Sequence, residues 1–183
     1  GIATAPDVNA QFWNPAKYSF CENKSELSFS YASGVNKSTS GAFNSYLSGY
    51  YKLDDMQAIG SSSRYYLYGE DIIFKNEANQ ITGTFKPYEF AIDASYIRRL
   101  SEDFSAAVAF RYMGSDIAKD FNNTGSKAGQ AFAADLAFYY QRMVFNDGFL
   151  LSAGVNISNI GTKVSYMERG VSTFLPMNLG LGA

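Results

Sequence analysis

Residues 88–113 read YEFAIDASYIRRLSEDFSAAVAFRYM, and the alternation within them decides the fold. In the first half, Tyr88, Phe90, Ile92, Ala94, Tyr96 and Leu100 fall on one face, with Glu89, Asp93, Ser95 and Arg99 on the other. Arg98 interrupts the apolar face only near the strand end, where a long side chain reaches an interface. The second half sets Phe104, Ala106, Val108, Phe110 and Tyr112 against Ser105, Ala107, Ala109 and Arg111. A period of two held this long marks strands, because successive side chains point to opposite faces. Ser101-Glu102-Asp103 supplies a short polar turn, so the stretch reads as one antiparallel hairpin. If Leu100 pairs with Phe104, Ile92 faces Tyr112, Ala94 faces Phe110, and Asp93 faces Arg111. An unpaired charge in such a wall is costly, and this register gives both charges a partner.

Working outward, seven strand candidates and the start of an eighth follow an irregular opening with two prolines, residues 2–20. They cover residues 26–31, 43–53, 57–68, 88–100, 104–114, 130–144 and 148–157, then 176–183. Apolar rows recur at Leu27/Phe29/Tyr31, Leu47/Tyr51/Leu53, Phe132/Leu136/Phe138/Tyr140 and Phe149/Leu151/Val155/Ile157. The opposite rows are small or polar: Ser28 and Ser30, Asp135 and Gln141, Ser152, Gly154 and Asn156. Ser61, Ser62 and Ser63 blur the two faces of the third strand.

Connections alternate in length. Residues 53–56, 101–103 and 146–148 form short turns, whereas 33–42, 69–87, 114–129 and 158–175 read as long polar links. Short periplasmic turns and long outer loops are the asymmetry of an outer-membrane barrel, and they place the N-terminal segment at the periplasmic end. A soluble barrel would bury its bulky residues and expose its charges. Here the aromatics suit a lipid-facing band, while Ala, Ser and Gly with Asp93, Arg111 and Asp135 suit a crowded or wet lumen. A closed barrel leaves no unsatisfied backbone in lipid. The eight candidates could close by themselves or form the first half of a larger wall.

Composition narrows the function. The 183 residues suffice for one domain, and 16% are aromatic, with 14 Tyr and 15 Phe, types that favour strands. No run of 18 apolar residues exists, so no transmembrane helix is expected. A net charge of −2 argues against nucleic acid as a partner. With no His, the His-dependent triads and common zinc sites are absent; no Walker loop, nucleophile elbow or paired cysteines occur. No catalytic residue, metal or cofactor is therefore expected. Cys21 lacks a base to activate it and reads as a passive small residue. Asp54-Asp55 reads as hairpin chemistry rather than a cation site, and Asn122-Asn123-Thr124 carries no defensible mechanism. Phe12 and Trp13 read as lumen-filling anchors of a plug before they read as the lining of a ligand path. Asp93, Arg111 and Asp135 read as a structural ion network before a proton-active site.

Residues 4–17, TAPDVNAQFWNPAK, resemble the N-terminal hatch of FadL-like outer-membrane proteins, with Asn14-Pro15-Ala16 as the shared core. LSGYYKLDDMQAIG (47–60), KPYEFAIDASY (86–96), GVNISNIGTKVSY (154–166) and LPMNLGLG (175–182) resemble the PorV-like family of the bacterial type IX secretion system. The likeness spans nearly the whole chain. It implies an all-β, antiparallel FadL-like barrel of about 14 strands in the bacterial outer membrane. This chain would supply a hatch, residues 1–25 with Phe12, Trp13, Asn14, Pro15 and Ala16, and about half of the wall, residues 26–183. The implied role is non-enzymatic. The protein would associate with outer-membrane lipid and a large translocon barrel, accept cargo by its C-terminal signal domain, and deliver it to attachment-complex proteins. The fold and Asn14-Pro15-Ala16 alone would also imply a FadL-like channel for hydrophobic small molecules such as fatty acids. An independent eight-stranded barrel requires the first strand to pair with residues 176–183. Residues 32–44 depart from the family in being Ser/Gly-rich, as do Ser61 and Ser63 in being polar. The long links 69–87 and 114–129 are the expected docking surface.

Overall fold

The computed structural model describes residues 1–34, 41–69, 71–75, 78–117, 128–144, 148–164 and 172–183. Asn122-Asn123-Thr124, most of the 114–129 link and the centre of the turn at 146 lie outside them. The described chain is almost wholly antiparallel β. Its main strands are β1 (Ser25–Ser33), β2 (Phe43–Lys52), β3 (Gln57–Leu67), β6 (Tyr88–Arg99), β7 (Phe104–Asp116), β8 (Gly129–Val144), β9 (Phe149–Gly161) and β12 (Asn178–Gly182). They pair in that order as one meander. β1 and β12 are the two edges, and no pairing between them occurs among the described residues.

The register of the deciding hairpin is the one its charges demand: Asp93 lies opposite Arg111, Ile92 opposite Tyr112, and Ala94 opposite Phe110. The serine-blurred third strand pairs along its full length with β2 and β6, so tertiary pairing overrides the weak local pattern. The link 69–87, read as long and polar, contains a small hairpin of β4 (Ile72–Lys75) and β5 (Ile81–Phe85). β10 (Lys163–Val164) pairs with β11 (Thr173–Phe174) inside the link 158–175.

The two faces separate as the alternation requires. Leu27 is 77% exposed, Phe29 67% and Phe110 65%, and Ile92, Phe132, Phe138 and Leu151 share that outward face. The inward face carries buried Ser48, Ser62, Asp93, Ser95, Ser105, Arg111 and Asp135 beside Ala107, Ala109, Ala133 and Ala137. Large apolar side chains point out and small or charged ones point in, the inverse of a water-soluble sandwich.

Residues 1–24 lie against this inward face. A short α-turn, α1 (Ala10–Trp13), leads into a 3₁₀ segment, η1 (Pro15–Phe20). Small wall residues make the close approach possible. A Cβ at Gly60 would stand 2.6 Å from the Tyr18 ring and 2.7 Å from both Gln11 Oε1 and Ser95 Oγ. Ala10, Ala16 and Tyr18 then join Tyr50, Ala58, Ile97, Ala107, Ala137 and Tyr139 in one buried cluster.

Candidate functional site: the N-terminal segment and the charge belt

Asn14 is the joint of the N-terminal segment. Its backbone is extended, its Oδ1 accepts from Ala16 N (3.1 Å), and Pro15 occupies the first position of η1. An Asn cap followed by Pro starts a helical turn without leaving an amide unsatisfied. The Asn14 Nδ2 group donates to Ile2 O (3.1 Å) and to Phe138 O of β8 (2.9 Å). Fully buried, this one side chain ties the start of the chain, η1 and the wall together. Ser105 Oγ donates to Ala16 O (2.7 Å), which gives the third residue of the Asn14-Pro15-Ala16 core its own wall contact.

Phe12 and Trp13 are about half exposed and pack edge to face on each other, with ring centroids 4.8 Å apart. Phe12 also meets Tyr46 edge-on (6.1 Å) and lies under the Arg64 guanidinium (5.1 Å). The aromatic residue filling the space against the wall is Tyr18, fully buried and stacked on Tyr50 at 4.7 Å. Burial drives the Tyr18 hydroxyl far above its ordinary pKa. It also pushes the Cys21 thiol up, which keeps that buried cysteine protonated and inert. The Lys17 ammonium is pulled below its usual value by burial, an effect opposed by Asp7, 3.8 Å away.

Between the N-terminal segment and the end of the sheet that carries the long links, a belt of charge crosses β3, β6, β7, β8 and β9. Arg111 Nε contacts Asp93 Oδ1, and Arg111 Nη2 lies 2.9 Å from Asp135 Oδ2. The three predicted ionic residues are thus in direct contact. Asp93, 1% exposed, also accepts from Ser62 Oγ (2.9 Å) and from Arg64 Nη2 (3.3 Å). Arg111 Nη1 donates to Asn159 Oδ1 (2.6 Å), and the Asn159 amide donates to Asp135 Oδ1 (2.8 Å). The buried Arg111 guanidinium and the partly exposed Arg64 guanidinium face two buried carboxylates, so each carboxylate has a cationic partner.

Arg64 and Asn159 were missed from the sequence, and both left a trace. Arg64 has the parity of Ala58, Gly60 and Ser62, the inward row of β3. Asn159 sits where the apolar spacing of β9 slips from two to three, between Ile157 and Ile160. The register with β8 shifts there, and Asn159 takes a positive φ of 62°. This is a bulge with Asn in the left-handed position, and it turns the amide toward the belt.

Above the belt lies a cavity of about 470 Å³ whose lining includes Asn44, Arg64, Glu89, Arg111 and Gln130. Its floor is ionic. No continuous apolar path runs along the inward face among the described residues, because the belt and the N-terminal segment interrupt it.

No curated protein matches the chain significantly. The model of a family described as type IX secretion system protein PorV matches residues 1–183, the whole chain. That family is an outer-membrane component of the secretion machinery rather than a family of enzymes, in keeping with a strand-built wall whose outward face is apolar. The chain belongs to the PorV family of type IX secretion system proteins.

Proposed function

We propose that this chain forms a hatch (residues 1–25) and the first seven to eight strands (residues 26–183) of a FadL-type outer-membrane barrel. The barrel acts as a non-enzymatic partner in secretion. It docks on a large translocon barrel, accepts exported proteins by their C-terminal signal domains, and passes them to the surface attachment complex. The observation that carries this reading is the covered inward face of this part of the wall. Asp93, Arg111 and Asp135 cross the inward face directly above a segment whose η1 is buried. An inward face so occupied favours serving secretion by binding other proteins over conducting cargo along this wall.

A FadL-like channel for fatty acids is the second reading, and the 470 Å³ cavity is the feature that favours it. Its charged floor counts against it, since an acyl chain passing there would displace paired charges into an apolar contact.

A pull-down of the chain from native outer membranes, with associated proteins identified, separates the two. Co-purification of a large barrel and of exported proteins carrying their signal domains is expected. Shortening the link 114–129 only between residues 117 and 128, outside the paired ends of β7 and β8, should leave insertion intact and abolish that co-purification. Recovery of bound fatty acid with no protein partner would overturn the secretion role in favour of the channel.

A further inference from the structure

Residues 1–9 are held differently from the rest of the N-terminal segment. None of them is fully buried, whereas residues 14–19 all are. What holds them is a series of side-chain donors aimed at their backbone carbonyls. Asn14 Nδ2 donates to Ile2 O (3.1 Å), Ser152 Oγ to Ala3 O (2.8 Å) and Tyr139 Oη to Thr4 O (3.5 Å). Further along, Lys17 Nζ donates to Ala5 O (3.3 Å), while Tyr18 Oη (2.9 Å) and Ser48 Oγ (3.1 Å) both reach Val8 O. Glycines clear the way for this backbone. A Cβ at Gly154 would stand 2.5 Å from Ile2 O, one at Gly180 2.7 Å from Ile2 Cδ1, and one at Gly182 3.1 Å from Ala3 N.

The track thus runs from β12 and β9 across β8 to β2, and it reads carbonyls. Fewer polar contacts reach the strap's side chains. They are Thr4 Oγ1 (3.1 Å) and Asp7 (3.8 Å) on Lys17 and Asn9 Oδ1 on Ser48 Oγ (3.1 Å). Val8 packs on the buried cluster, and Ile2 and Ala3 lie over Gly154, Gly180 and Gly182. Carbonyls recur in every polypeptide, so donors spaced to meet them bind an extended chain with little regard to sequence. Removing the strap bares hydroxyl, amide and ammonium donors that water can satisfy, so one occupant can replace another without a large desolvation cost.

We infer that this track is a binding site for an extended segment of an exported polypeptide, and that residues 1–9 occupy it in the resting state as an exchangeable strap. η1 stays in place beneath it as the fixed part of the plug. The source of the incoming segment rests on the secretion role proposed above; the track itself rests on the geometry.

The test uses the full chain in detergent micelles with Ala3→Cys and Gly182→Cys introduced together. A Cβ at Gly182 lies 3.1 Å from that of Ala3, within a few tenths of an ångström of disulfide geometry, and buried Cys21 stands apart. The probes are a fluorescent peptide GIATAPDVN and a shuffled peptide of the same composition. In the reduced protein both should bind, within roughly threefold of each other, and Ser152→Ala should weaken both about fivefold, the worth of one hydrogen bond. Oxidation should lower binding by about tenfold or more, because the strap can no longer leave. Absence of binding to the reduced protein, or equal binding to reduced and oxidised protein, overturns the inference while leaving the secretion role untouched. Lock-sensitive peptide binding in a protein that recovers no exported partner from membranes sinks the secretion role and keeps the track.

Discussion

The outward and inward faces of β6 and β7 obey opposite packing rules although they share one backbone. Outward, Ile92, Tyr96 and Phe110 are exposed, and their stability depends largely on what surrounds the molecule. Inward, Asp93, Ser95, Ala107, Ala109 and Arg111 are buried, and theirs depends on one another. The difference teaches that the hydrophobic term here acts between wall and surroundings, while polar pairing and small-residue contact organise the interior.

The largest expected effect comes from breaking the inner face. Asp93→Ala leaves Arg111 and Arg64 without the carboxylate they share, and should cost roughly 3–5 kcal/mol in urea unfolding from micelles. Asp93→Asn should cost less because hydrogen bonds remain. A loss below about 1 kcal/mol for the alanine variant would mean that the belt is wet and screened.

The outer face is tested by Phe110→Arg. If Phe110 meets acyl chains, folding into bilayers should weaken by about 2–4 kcal/mol. A negligible change would place the residue in water or at a polar contact.

Next comes the attachment of the N-terminal segment to the inner face. Asn14→Ala removes the cap of η1 and the bonds to Ile2 and Phe138, and should loosen the segment by roughly 1–3 kcal/mol. Trp13, the single tryptophan, reports it by fluorescence while the sheet unfolds at a similar denaturant concentration.

The smallest effect is alkaline. Tyr18 has its pKa raised by burial above the ordinary 10.0, so its contribution is complete below pH 10 and is lost as the pH climbs beyond that value. Lys17 has the opposite sign. Its lowered pKa means that the unfolded state holds more protons, and stability rises toward pH 10.5. Through Tyr18, the Trp13 signal should show release above pH 10, and Tyr18→Phe should reduce that release.

Much of the sheet was legible because each strand states its own two faces. The hairpin 88–113 even suggested its register, since pairing Leu100 with Phe104 sets Asp93 against Arg111. The hairpin β4–β5 was not legible. It is short and set in a polar link, where alternation has no room to repeat. Arg64 was hidden by the serines before it, and Asn159 by a bulge that shows as one slipped spacing. Phe12 and Trp13 drew attention by size, yet Tyr18 fills the space against the wall, because the turn at Asn14 and Pro15 sets which aromatic faces Gly60 and Tyr50.

The sequence by itself determined the eight main strands, their two faces, the charged trio and the family. All of these depend on residues two apart, on one adjacent hairpin, or on motifs read along the chain. Only the tertiary structure decided that Arg64 and Asn159 complete the belt, and that glycines on β9 and β12 receive residues 2 and 3. Those contacts join segments far apart in sequence, and no local period encodes which distant backbone will pass over a missing Cβ.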